Sequence, residues 1–117
     1  MNEELKVIGA IVRLEVLEEV VTEPRKSGVP RMNIVHVRAV GTGADPTHPK
    51  WALELGTTYT EKARIEFVCP ADRVDELACL ICQHARTGQR GDGVVFASRV
   101  DEVIKIRTGV RGLEALA

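Results

Sequence analysis

A change of hydrophobic period in mid-chain constrains this sequence more than any other feature. Between Tyr59 and Cys69, the residues Ala63, Ile65, Phe67 and Cys69 alternate with Lys62, Arg64, Glu66 and Val68. A period of two predicts a strand with one core face and one mostly polar face. Pro70-Ala71-Asp72 follows, and Val74, Leu77, Ala78, Ile81 and Ala85 then recur at the spacing of an amphipathic helix that Gly88 stops. A half-apolar strand running straight into a half-apolar helix requires a helix packed on one face of a sheet.

The flanking segments extend this pattern. Leu5 to Arg13 is short, apolar and β-branched, as a buried first strand requires. Leu17, Val20 and Val21 take up helical spacing, with Glu15, Glu18 and Glu19 at the start, where the helix dipole favours negative charge. Pro24 lacks an N–H and is expected to kink this helix or end it near Val21. Asn33 to Val40 reads as a strand, with Val35, Val37 and Ala39 on one face and Ile34, His36, Arg38 and Val40 on the other. Val94–Ala97 and Val103–Arg107 are the last extended pieces, separated by residues 98–102. The predicted fold class is α+β, a ferredoxin-like βαββαβ with an antiparallel sheet. Helices cover one sheet face; the other needs cover if it carries Val37, Phe67 or their neighbours, so self-association is expected. Gly41 to Thr58 is a long connection, of a length that is usually functional or disordered.

At 117 residues, with 44% hydrophobic and 28% charged side chains, the chain suits one domain with a single core. One Trp, one Tyr and two Phe make that core aliphatic. With 16 Lys+Arg against 17 Asp+Glu and no long basic run, nucleic acid is an unsuitable partner. No apolar stretch reaches the roughly 20 residues of a membrane span, and Met1-Asn2-Glu3-Glu4 lacks the positive start of a secretory signal, so a cytoplasmic protein is expected. Cys69, Cys79 and Cys82 form no disulfide-scaffold pattern, in keeping with a reducing compartment.

Three features bear on chemistry. Thr87-Gly88-Gln89-Arg90-Gly91-Asp92-Gly93 places three glycines directly after a helix. It reads either as a nest of backbone N–H groups for phosphate or as a glycine-rich turn. Lys105 and Arg107, two apart on a predicted strand, share a face that is either an anion contact or a solvated surface. Cys79-Leu80-Ile81-Cys82 is a C-x-x-C inside an amphipathic helix without a second such pair, so core packing is expected over redox or zinc chemistry. His36, His48 and His84 lack ligand spacing, and no acid pair or Ser/His/Asp set suggests catalysis.

The run Ala85-Arg86-Thr87-Gly88-Gln89-Arg90-Gly91-Asp92-Gly93 and the run Ile104-Lys105-Ile106-Arg107-Thr108-Gly109-Val110-Arg111-Gly112 resemble the two signature segments of the PII signal-transduction family. Ala10-Ile11-Val12-Arg13, Gly28 to Met32 and Lys62-Ala63-Arg64-Ile65-Glu66 continue the resemblance over nearly the whole chain. It implies a single domain over 1–117 and a non-catalytic homotrimer with an adenine nucleotide in each cleft between subunits. Gly91, Asp92, Gly93 and Val94 would line the phosphates through backbone groups, with Lys105 and Arg107 arriving from the adjacent subunit. Ile11, Met32, Asn33, Glu66 and Val68 would surround adenine and ribose. Gly41 would stand at the base of a T-loop, about 41–58, that engages a target protein whose identity the sequence does not reveal.

Departures from the family pattern refine this expectation. Val94 stands where the family places a Lys on the terminal phosphate, Thr42 where an Arg is usual, and Lys105 where another Arg is usual. ADP or AMP is therefore expected over ATP. Gly43 replaces the Gln that ligates Mg²⁺ beside 2-oxoglutarate, and Leu55 stands at the position of the uridylylated Tyr. Lys62 is retained, and with Gly41 and Thr42 forms a candidate site for a small anion such as bicarbonate. These losses resemble PII-like proteins of inorganic-carbon handling, including carboxysome-associated members. Three alternatives stay open: a nitrogen-regulatory PII protein sensing ATP and 2-oxoglutarate, a trimeric metal-binding protein of the CutA kind, and a thiol redox enzyme using the C-x-x-C. No structural metal is expected. Trp51, near Pro46 and Pro49, is a candidate interface anchor.

Overall fold

The computed structural model describes residues 4–40, 50–52 and 57–117. Strand β1 (Leu5–Arg13) leads through a 3-10 turn at Leu14–Val16 into helix α1 (Leu17–Lys26). Strands β2 (Asn33–Val40), β3 (Lys50–Ala52) and β4 (Thr57–Pro70) follow, then α2 (Val74–Ala85) and β5 (Val94–Val100). The long strands lie in the order β2-β4-β1-β5, every neighbour antiparallel, with β3 paired to the start of β4. This is the expected ferredoxin-like arrangement.

Register explains where the core lies, because residues directly opposite each other across an antiparallel pair share a face. Ile8 faces Phe67 and Ala97, Ala10 faces Ile65 and Val95, and Val12 faces Ala63. The helices cover this face, where Leu77, Ile81 and Ala85 of α2 and Val20 of α1 join Ile8, Ala10, Val12, Ala63, Ile65 and Phe67 in one buried cluster. The opposite face carries Val35 and Val37 of β2, Val94 and Phe96 of β5, and the polar series Lys62, Arg64 and Glu66 of β4. Val35, Val94 and Phe96 are exposed there. Phe67 thus lies beneath the helices, while Val37 is on the open face.

Phe96 lies flat across Gly9, where an added Cβ would meet the ring at 2.3 Å. The Arg64 guanidinium stands over the same ring, 5.5 Å from its centroid.

Three segments depart from the sequence reading. Helix α1 continues through Pro24 to Lys26 instead of ending near Val21. Its end is a Schellman motif: the Val29 N–H donates to the Pro24 carbonyl and the Gly28 N–H to the Arg25 carbonyl, each at 3.1 Å. Gly28 supplies the positive φ of +99°. Pro24 and Val29 are both buried, so packing offsets the lost helical hydrogen bond.

The last strand runs to Val100, taking in Ser98–Val100 of the expected separator, because Leu5, Lys6 and Val7 extend the ladder that far. Val103–Arg107 does not form the expected strand. Ile104 makes only a bridge to Arg111, and the chain turns between them, with the Gly109 N–H on the Lys105 carbonyl at 2.7 Å and the Lys105 N–H on the Val110 carbonyl at 2.8 Å. Gly109, at φ +75°, allows this turn.

Part of the span expected as loop is ladder: Lys50, Trp51 and Ala52 pair with Tyr59, Thr58 and Thr57. Residues 41–49 and 53–56, among them Gly41, Thr42, Gly43, His48 and Leu55, lie outside the described residues. Among the described residues, no helix is long and apolar enough to cross a membrane.

Candidate functional site

Helix α2 ends at Ala85, three residues short of Gly88, with the Arg86 N–H returning to the Cys82 carbonyl at 3.1 Å. The chain then folds into a loop in which Gly88, Gly91 and Gly93 take φ of +89°, +96° and +101°. Such angles favour glycine, but Gly93 carries a further constraint. A Cβ there would sit 1.7 Å from the Ile11 carbonyl oxygen, so the loop backbone rests directly on β1.

Asp92 ties the loop to itself and to the sheet. Its carboxylate accepts from the Thr87 N–H at 2.9 Å, the Gly88 N–H at 2.9 Å, the Thr87 hydroxyl at 2.5 Å and Arg13 Nε at 2.9 Å. Burial alone would raise the Asp92 pKa; the Thr87 hydroxyl, Arg13 and the two N–H donors outweigh it and hold the carboxyl well below the usual carboxylate range. The Asp92 side chain is therefore a fastener of the loop.

Arg13 donates through Nη2 to the Arg90 carbonyl at 2.7 Å, and the Lys62 ammonium donates to the Gly91 carbonyl. Arg13 and Lys62 are only 5% and 1% exposed. Two buried cations thus stand beneath the loop, held by its carbonyls, with Asp92 as counter-charge to Arg13.

Two clefts gather the residues expected to hold nucleotide. The first, about 480 Å³, brings Ile11, Lys62, Gly91, Asp92, Gly93 and Val94 together with Gln89 and the end of β2. The second, about 620 Å³, is lined by Met32, Asn33, Glu66 and Val68 together with Lys105 and Arg107. Neither of these two clefts holds both sets. Lys105 donates to the Ala117 backbone oxygen at 2.7 Å, Glu66 is paired with Arg64 at 3.1 Å, and Arg107 is exposed. Lys105 and Arg107 lie on the turn described above, not on one face of a strand.

A profile of the nitrogen regulatory protein P-II family matches residues 5–110. The chain belongs to the P-II family. P-II proteins are regulatory and non-catalytic. Similar relatives include the nitrogen regulatory protein P-II of Nostoc punctiforme, 34% identical over 112 residues that cover 96% of this chain and 100% of that one. P-II 2 of Methanothermobacter thermautotrophicus is 37% identical, covering 96% and 97%. Among solved structures, Arabidopsis thaliana PII bound to citrate superposes with a TM-score of 0.77 at 30% identity, covering 98% of this chain and 92% of that one. The Bacillus subtilis GlnK–ATP complex gives 0.80 at 26% identity, covering 99% of each.

Two further findings concern this P-II chain. Cys79 and Cys82 are exposed, contrary to the expected core packing, because they fall between the stripe positions Leu77, Ile81 and Ala85 that α2 buries. Only Cys69 packs in the core, where burial pushes its thiol pKa up against the opposing charge of Arg73. Among the described residues, no group of three or more His, Cys, Asp or Glu is placed to hold a metal ion. Arg13, which fastens the loop beside Lys62, is not among the expected site residues; its signal in the sequence is a charge closing a mostly apolar strand.

Proposed function

We propose that this P-II protein is a signalling subunit that binds adenine nucleotide, ADP or AMP in preference to ATP, in clefts between the subunits of a homotrimer. It would report occupancy to a target protein through the T-loop. The observation that carries this reading is the glycine loop fastened over Arg13 and Lys62. A loop with three positive-φ glycines lets backbone N–H groups converge on a phosphate, as anion-binding nests do. The division of the expected residues between two clefts supports completion of each site by a second copy, Gly91–Val94 coming from one chain and Lys105 with Arg107 from the next. The exposed Val35, Val94 and Phe96 of the open sheet face support burial against such copies.

The preference against ATP rests on charge. Val94 lines the loop cleft with 60% of its surface exposed and brings no cation to a terminal phosphate. Each missing charge-assisted contact costs about 1.5–3 kcal/mol, roughly 10- to 150-fold in affinity. Calorimetric titration with AMP, ADP and ATP tests this, and near-equal affinities would refute it.

Lys62, at the floor of the same cleft, favours a small anion such as bicarbonate as co-ligand, in line with a role in inorganic-carbon regulation and association with the carboxysome. Gly41 and Thr42 would complete that site. The nitrogen-sensing alternative makes the opposite forecast, Mg-ATP coupled to 2-oxoglutarate, and the same titrations run with bicarbonate or with 2-oxoglutarate and Mg²⁺ separate the two.

A further inference from the structure

Cys79 and Cys82 are assigned no part in nucleotide binding, although Cys82 borders a small cleft with Ile11, Asp92, Gly93 and Val94, and both thiols are free and exposed. They sit on α2 away from its buried stripe of Leu77, Ile81 and Ala85. Residues i and i+3 of a helix are surface neighbours with Cβ atoms about 5–6 Å apart. A disulfide needs Cβ atoms at about 3.5–4.5 Å, so closing one here would pull the helix out of shape. Two thiolates joined end-on through a metal ion, with two metal–sulfur bonds of about 2.3 Å, fit the undistorted spacing.

The surroundings restrict which ion that is. Tetrahedral zinc needs four donors, and no third or fourth His, Cys, Asp or Glu is placed beside the pair among the described residues. His84, two residues on, turns its Nδ1 to Glu19 at 3.3 Å. Thiolates select soft ions, and a monovalent d¹⁰ ion is satisfied by two of them in line.

We propose that Cys79 and Cys82 form a two-thiolate site for a soft monovalent cation of the Cu(I) class. Binding is a ligation without electron transfer: each S–H bond breaks, two protons pass to solvent, two Cu–S bonds form, and copper stays Cu(I). The bis-thiolate complex carries one negative charge. Arg86, one helical turn beyond Cys82, lines the same small cleft, as does Asp92.

The test uses the full, reduced chain under anaerobic conditions, titrated against Cu(I) held as its coloured bicinchoninate complex. The wild type is expected to withdraw one Cu(I) per chain, with X-ray absorption reporting two sulfur neighbours and no third donor. Cys79→Ser and Cys82→Ser are each expected to lose that withdrawal. Alkylation of the wild type followed by mass spectrometry should show Cu(I) protecting Cys79 and Cys82 and leaving Cys69 unchanged, which decides the matter even if a serine variant fails to fold. Retention of copper by either folded variant, a third sulfur neighbour, or unprotected Cys79 and Cys82 in the copper-loaded chain would overturn the proposal.

Discussion

Arg13 and Lys62 stand directly opposite each other across the β1–β4 ladder, and both donate to carbonyls of the same glycine loop, Arg13 to Arg90 and Lys62 to Gly91. Like charges directly opposite on a sheet repel. Asp92, bonded to Arg13, supplies a nearby counter-charge, and the loop carbonyls solvate both cations.

Removing Arg13 therefore unfastens the loop. Arg13→Ala leaves the Arg90 carbonyl and one side of Asp92 unpaired and should destabilise the protein by about 2–3 kcal/mol, read from urea unfolding. Nucleotide affinity should fall with it. A wild-type unfolding curve and wild-type affinity together would show that Arg13 does not hold the loop.

The Asp92 contribution depends on acidity in a fixed direction. Its folded pKa is depressed below the ordinary 3.8. Its stabilisation is therefore complete above that unfolded value and is lost as pH falls below it toward the folded pKa. Asp92→Asn should unfold at lower urea than wild type near neutral pH, and the gap should narrow below about pH 4, where the unfolded carboxyl takes up its proton. A gap that stays constant from neutral pH into acid would contradict the network.

Gly93 and Gly88 differ although both have positive φ. Gly93→Ala meets the Ile11 carbonyl and should cost on the order of 3 kcal/mol and nucleotide binding as well. Gly88→Ala meets nothing within 4 Å and should cost only the conformational penalty, about 1 kcal/mol. Thermal melts of the two variants side by side would expose any error in placing the loop on β1.

Val94→Lys should restore a cation at the rim of the loop cleft. Affinity for ATP is expected to rise about 10-fold or more relative to AMP in calorimetry. An unchanged ratio would place the terminal phosphate elsewhere.

Arg107→Ala should weaken nucleotide binding by about 10-fold or more if Arg107 makes the charge-assisted contact proposed for it, while the exposed position leaves stability within about 0.5 kcal/mol. Loss of stability without loss of affinity would reverse the assignment.

What was legible in the chain were the features that local pattern alone decides. The alternation through Ala63, Ile65, Phe67 and Cys69 and the α2 stripe both folded as their periods require. Pro24 was misread because its helix is completed by a capping motif and by burial, neither of which a proline penalty expresses. Val103–Arg107 has the composition of a strand, but strands need a neighbour, and Thr108-Gly109 turns the chain back first. The glycine loop was visible as a composition; that Gly93 is required by the Ile11 carbonyl, and that Arg13 holds the loop down, depends on residues about 80 positions apart meeting in space.

The separation of the glycine loop from Lys105 and Arg107 on one chain has a consequence for mixtures. If the clefts form between subunits as proposed, then in a ring of unlike subunits every cleft would be a hybrid, one chain offering its loop and the next its cations. A chain damaged at Gly93 and another damaged at Arg107 would each be silent alone, yet co-assembled they would regain intact clefts wherever the two undamaged halves meet. Co-expression with a related paralogue would, by the same rule, create binding sites that neither homo-oligomer possesses.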